Sequence, residues 1–419
     1  MNAAWLLLGL LIIGAIGNRI RKGGRLRGFG LPSGSESLLF GLFLGPHGLG
    51  LVHTSDLQSF SPVVLSAVGW LAFVVGTRLA EPSSDQNLLR HDASLMPMLL
   101  GGALAALCLI VVTISAYFAL NWLHVPARPT RWLVGSALGL VMAGSAQQLI
   151  DWARQRYGAT GRTTDGLQSA SIGGDAFALL AMAPLVALDY TGKMSARHIA
   201  IVSLMPIFLG ALLGIAVRLL LRFEQREAER WALLLGSMLF IVGLAQRLGA
   251  SIVTGAFVAG WVLGRGDSPN VREMRTLIAP AESSVLLPVL VIAGATVDLR
   301  EVGSLGFVAA IAVLVRLAVA LVAGSIVVAV VARRLRSILG AGMALASSGE
   351  VAVIVAMAYA IVHPGRFGQT VLLTAIVAAL SGELVAPGSL RRLLRNVNEL
   401  SLEGHSSQPP ESPSNRSAA

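Results

Sequence analysis

Three ionisable side chains fall deep inside long apolar runs: Asp175, Arg316 and Glu350. Counted from the start of their runs (166–190, 305–331 and 338–362), they lie about nine, eleven and twelve residues in. At 1.5 Å per residue those depths are roughly 14, 17 and 18 Å, near the middle of a ~30 Å hydrocarbon core. An ionised side chain facing lipid there costs at least ~2.5 kcal/mol, so each must face another charge or water. An arginine keeps its proton at any working pH. Arg316 can therefore carry no proton; it can pair with Glu350 as a fixed staple or balance the dipole ends of an interrupted helix. Asp175 stands among Gly173, Gly174, Ala176 and Phe177, with no basic residue within a helical turn. A lone buried carboxylate can hold a proton or a cation but not comfortably both, and that competition is the chemistry of exchange.

Small polar residues interrupt two other runs. One contains Gly144-Ser145 followed by Gln147 and Gln148; the other contains Ser347-Ser348-Gly349-Glu350. Such residues at mid-span favour a local break, where freed backbone groups can meet an ion; close packing of helices on small residues is the competing reading. Glu383 and Glu282 lie nearer the ends of their runs. They read as end-of-helix acids reaching for the interface, with Glu383 the secondary candidate for a part in transport.

These residues need a scaffold of membrane helices. Apolar residues make up 55% of the chain, charged residues only 13%, and the mean hydropathy is +0.73, whereas soluble domains carry about 25% charge. Thirteen spans are expected, near 3–17, 36–52, 62–80, 95–120, 131–150, 166–190, 197–221, 231–247, 250–264, 279–297, 305–331, 338–362 and 369–390. Alternating the loops collects most of the arginines on one side, among them Arg19 to Arg27, Arg154 to Arg162, Arg222 to Arg230, Arg333 to Arg336 and Arg391 to Arg395. The positive-inside rule makes that side cytoplasmic, so the N-terminus lies outside and the C-terminus inside the inner membrane. Thirteen divides as six, one and six, and a linker span would invert the second half relative to the first. The two interrupted runs are then the fifth spans of the two halves. Residues 1–400 form the transmembrane domain, and the Ser/Pro/Glu-rich residues 401–419 read as a disordered cytoplasmic tail.

The net charge of +10 follows from those loops, without the aromatic-interleaved basic platform that nucleic acid would need. The single cysteine, Cys108, allows no intrachain disulfide, and no cofactor is expected. Ser195, His198 and Asp189 lie close in sequence but lack a nucleophile elbow, so no enzyme is expected. The partners are the lipid bilayer, a monovalent cation and H⁺.

At these residues the chain resembles the cation:proton antiporter superfamily, in its Kef-like branch, over nearly all of residues 1–390. Gly41-Leu-Phe-Leu-Gly45-Pro46-His-Gly48-Leu-Gly50-Leu51 is similar to that family's G-x-x-x-G-P-x-G-L-G-L. Leu248-Gly249-Ala-Ser251-Ile-Val-Thr-Gly255-Ala256-Phe257-Val-Ala259-Gly260 resembles its L-G-x-S-x-x-x-G-A-F-x-A-G, the most specific match. Leu287-Pro288 with Gly294 to Leu299, and Gly349-Glu350, resemble two further motifs. The resemblance implies an all-α fold of two inverted six-helix repeats with crossing discontinuous helices. It also implies a homodimer with elevator-type alternating access, Asp175 as the ion-binding residue and Arg316 as the intramembrane base. The chain departs from the pattern at Gly174, where relatives carry Asp, Asn or Gln, at Gly144-Ser145-Ala146, and in having Arg rather than Lys at 316. One carboxyl in place of two favours exchange of one charge for one. Antiport of Na⁺ or K⁺ against H⁺ is the reading these features support; a gated K⁺ channel and a non-transporting membrane partner or sensor are the alternatives.

Overall fold

A computed structural model describes residues 34–46, 48–50, 61–80, 91–125, 127–145, 147–190, 196–223, 226–266, 269–332 and 340–400. The expected first span (3–17) and the tail (401–419) lie outside these residues. Each of the other twelve expected spans contains helix: α1 (Glu36–Leu44), α2 (Ser61–Leu79), α3 (His91–Trp122), α4 (Arg128–Ala143), α5 (Gln147–Tyr157), α6 (Arg162–Tyr190), α7 (Ala196–Leu220), α8 (Glu227–Leu248), α9 (Ile252–Gly264), α10 (Pro269–Thr296), α11 (Gly306–Val319), α12 (Ser325–Ala332), α13 (Glu350–Val362) and α14 (Arg366–Asn396). Among the described residues no strand occurs, and eight helical stretches are long and apolar enough to cross a bilayer.

The second span stops sooner than its apolar run. α1 ends at Gly45, whose backbone is extended at φ −69°, ψ −174°, because the residue before a proline is pushed out of the helical region. The chain then folds back, with Leu49 N donating to Phe43 O at 2.8 Å. The matched breaks are present. α4 gives way to α5 through extended Gly144 at φ −62°, ψ 148°. In the second half the 3-10 turn Ala341–Leu345 gives way to α13 through Gly349 at φ −83°, ψ −161°.

The helices sort into two groups by what they pack against. α1 packs on α10 and α2 on α9, with α7 and α8 completing the first group; α3, α4, α6, α11, α13 and α14 pack among themselves as the second. If α1 corresponds to α9 and α2 to α10, the α1–α10 and α2–α9 contacts exchange with each other. Likewise α3–α6 is the counterpart of α11–α14, and α4–α14 that of α13–α6. This reciprocity is what a repeated six-helix unit produces. The groups meet where α6 lies on α7 and α9, and where α13 lies on α2.

Glycines draw the seams together. A methyl at Gly76 would lie 2.1 Å from Phe257 O, and one at Gly260 would lie 2.1 Å from Phe73 O. Without a hydrophobic drive between helices in lipid, such backbone approach supplies the van der Waals contact that holds them. The Leu248–Gly260 motif thereby acquires a physical meaning. Gly249 ends α8 in the left-handed region at φ 64°, and Ser251 caps α9 by accepting from Thr254 N at 3.2 Å. Thr254 Oγ1 then donates to Leu179 O of α6 at 2.7 Å, tying the two groups together.

Candidate functional site

The two breaks lie against each other, and Arg316 holds them. Its Nη2 donates to Gly144 O at 2.7 Å and to Ser347 O at 3.0 Å, and its Nε donates to Ala346 O at 3.1 Å. The residue is 5% exposed. Helix ends leave carbonyls without partners and carry partial negative charge, so one guanidinium satisfies both interruptions at once. Of the two roles the sequence left open for Arg316, the geometry is that of dipole balancing. No Arg316–Glu350 staple forms.

Asp175 lies on α6 beside the first break and is 3% exposed. Its Oδ1 accepts from the backbone N–H of Ser145 at 2.8 Å. Both Arg316 and Glu350 are close enough to act on it electrostatically, yet the guanidinium is committed to backbone carbonyls. Gly174 explains itself here: a Cβ at this position would lie 2.8 Å from Ser145 Oγ. The hydroxyl of the broken helix fills the place that a longer side chain would need. Beside the break is a cavity of ≈ 20 Å³ lined by Leu104, Cys108, Ala143, Ser145 and Arg316, room for about one water. The hydroxyls of Ser347 and Ser348 are buried and find no hydrogen-bond partner among the described residues.

Glu350 starts α13 and is 6% exposed, but its partner is Arg78, with Nη1 3.2 Å from Oε1. Gln148 Nε2 donates to its other oxygen at 2.7 Å. Glu282 is also buried and pairs with Arg78, rather than reaching for the interface as its position near a span end suggests. Glu383 departs from that expectation in the same way. It is buried on α14 and accepts a hydrogen bond from Ser35 Oγ. Arg78 went unrecognised because it ends an apolar run, where a basic residue reads as an interfacial anchor; its two partners come from distant parts of the chain. The structure thus brings together Asp175, Ser145, Gly144, Arg316 and Ser347, and sets Glu350 in a neighbouring network with Arg78.

The sodium/hydrogen exchanger transmembrane family matches residues 8–396. No curated protein matches the chain. Among solved structures, the sodium proton antiporter MjNhaP1 from Methanocaldococcus jannaschii is similar in fold. Its structure at pH 8 superposes with a TM-score of 0.67 at 15% identity, covering 94% of this chain and 98% of the other. A second, electron-microscopy structure of the same antiporter gives 0.65 at 15% identity, covering 94% and 96%. With its two packed halves, its crossing breaks and a family match over nearly its whole length, this chain belongs to the sodium/hydrogen exchanger transmembrane family, a family of transporters and not of enzymes.

Proposed function

We propose that this protein exchanges a monovalent cation, Na⁺ or K⁺, for H⁺ across the inner membrane, and that Asp175 binds the two alternately. The observation that carries the reading is the state of the Asp175 carboxyl. It is buried beside a broken helix and held by one backbone N–H, while Arg316 spends its donors on Gly144, Ala346 and Ser347. No ion pair locks Asp175 among the described residues, so its negative charge is available to a proton or a metal ion. The hydroxyls of Ser347 and Ser348 and the carbonyls of the breaks are oxygen donors of the kind hard cations take. The division into two helix groups supports alternating access by movement of one group along the other, and a homodimer would hold the first group still. In this reading the arginine asymmetry of the loops puts the C-terminus in the cytoplasm and the N-terminus outside.

Reconstituted protein tests the reading. Cation pulses of Na⁺, K⁺ and Li⁺ are applied to proteoliposomes holding a pH-sensitive dye. Wild type should give cation-driven proton flux and Asp175→Asn none, with thermal unfolding in detergent retained. Exchange at the wild-type rate in Asp175→Asn would remove Asp175 from the mechanism. Unitary currents in planar bilayers would replace the antiporter with a channel.

A further inference from the structure

The Arg78 network spans the boundary between the two helix groups. Arg78 and Glu282 belong to α2 and α10 of the first group; Glu350 begins α13 of the second. Within its own group Arg78 is anchored by Glu282. Within the other, Glu350 is anchored by Gln148 Nε2 at 2.7 Å. The Arg78 Nη1–Glu350 Oε1 contact of 3.2 Å joins the two anchored ends. Three other ion pairs among the described residues do not cross this boundary: Arg230–Glu273 joins two helices of the first group, Arg154–Asp165 joins α5 to α6, and His363–Asp189 lies within the second group. A bond inside a group is kept when the groups slide. A bond across the boundary exists in only some of their relative positions, so it biases the equilibrium between them. Opening the contact leaves the buried Glu350 carboxylate without its cationic partner while Arg78 keeps Glu282, and an uncompensated buried charge is costly, which makes this contact a barrier to movement as well as a bias.

We propose that Arg78 is a positioning residue for exchange: with Glu350 it latches the two helix groups together, and the latch must open for the Asp175-bearing group to move. This rests on the exchange reading above. The latch acts on movement and not on the bound ion. Arg78 and Glu350 reach Asp175 only electrostatically, and the hydrogen bond that Asp175 accepts comes from Ser145.

The test is a rate cycle in proteoliposomes with Arg78→Gln, Glu350→Gln and the double variant. Each single variant should change the maximal exchange rate in the same direction, by about fivefold or more, the usual range for coupled equilibria. The cation KM should stay within about twofold of wild type. Arg78→Gln also removes the Arg78–Glu282 pair within the first group, so the double variant should match Arg78→Gln, in which the contact to Glu350 is already gone. Arg78→Lys, which keeps the charge, should restore most of the wild-type rate. If a neutral variant does not fold, Glu350→Asp keeps every charge and withdraws the carboxyl by one methylene, and it should shift the rate in the same sense. Single effects that add in the double variant, an unchanged maximal rate, or changes confined to KM would each overturn the latch. Failure of the underlying reading looks different: it is exchange that persists in Asp175→Asn, which leaves the rate cycle readable.

Discussion

Arg316 shows how one side chain can decide a site. It closes two helix interruptions by donating to three carbonyls from two separate nitrogens, a spread that a single ammonium nitrogen would have to cover from one point. Arg316→Gln should destabilise the protein by about 1–3 kcal/mol for each carbonyl left bare, and Arg316→Lys should recover only part of that. Thermal unfolding in detergent reads both. Outside the membrane core, His363 follows the last turn of α13, with its Nε2 2.5 Å from Asp189 Oδ2 of α6 and its ring stacked on Tyr359. Burial favours the neutral imidazole, but the hydrogen bond and charge of Asp189, together with the Tyr359 carbonyl, outweigh it and hold the imidazole above its ordinary range. A raised folded value means that the pair stabilises the fold fully below the unfolded pKa of about 6.5. That stability is lost as pH rises through the folded value. Unfolding midpoints measured across this window should fall with pH in wild type and flatten in Asp189→Asn; equal slopes in the two proteins would deny the pair any role.

At the scale of elements, the helix that carries Asp175 is fixed at both ends. At its far end Asp189 meets His363. At its start Glu399, beyond α14, accepts from Thr163 N at 2.7 Å, Thr164 N at 2.8 Å and Thr164 Oγ1 at 2.7 Å. A carboxylate on the exposed N–H groups of a helix start satisfies them and opposes the helix dipole. Glu399→Ala should cost about 1–2 kcal/mol and raise amide exchange first in residues 162–166. Protection unchanged there would show that the cap contributes nothing. The α2–α9 seam is stricter. A side chain at Gly260 meets the Phe73 carbonyl, backbone that cannot rotate away. Gly260→Val should therefore overpack the seam by about 1–3 kcal/mol or more, seen as a lower unfolding temperature, whereas the same change at Gly236, where nothing lies within 4 Å, should be tolerated.

At the scale of the whole molecule, the arginine asymmetry of the loops and the repeat belong to one argument. If the loop arginines set the orientation by the positive-inside rule, a fluorescent reporter fused after Ala419 should mature in the cytoplasm, and a periplasm-dependent phosphatase fused there should stay inactive. The opposite result would reverse the assigned orientation. The crossing of the breaks follows from the same symmetry. Each half brings its interrupted fifth span to the shared axis, where a single basic side chain from α11 serves both.

Helix in twelve of the expected spans, the two interruptions and the burial of Asp175 within its helix were legible in the sequence. They depend on quantities that are local along the chain: the length of apolar runs, the small polar residues that break them, and the rise per residue of a helix. Partners were not legible. Arg316 and Glu350 reach similar depths with opposite charge, yet one turns to backbone carbonyls and the other to Arg78, because depth fixes only one coordinate and pairing needs three. Glu282 and Glu383 are buried for the same reason. Each lies near the end of its own span, but a neighbouring element covers it, and only the packing of the helices decides which run ends face lipid, water or protein.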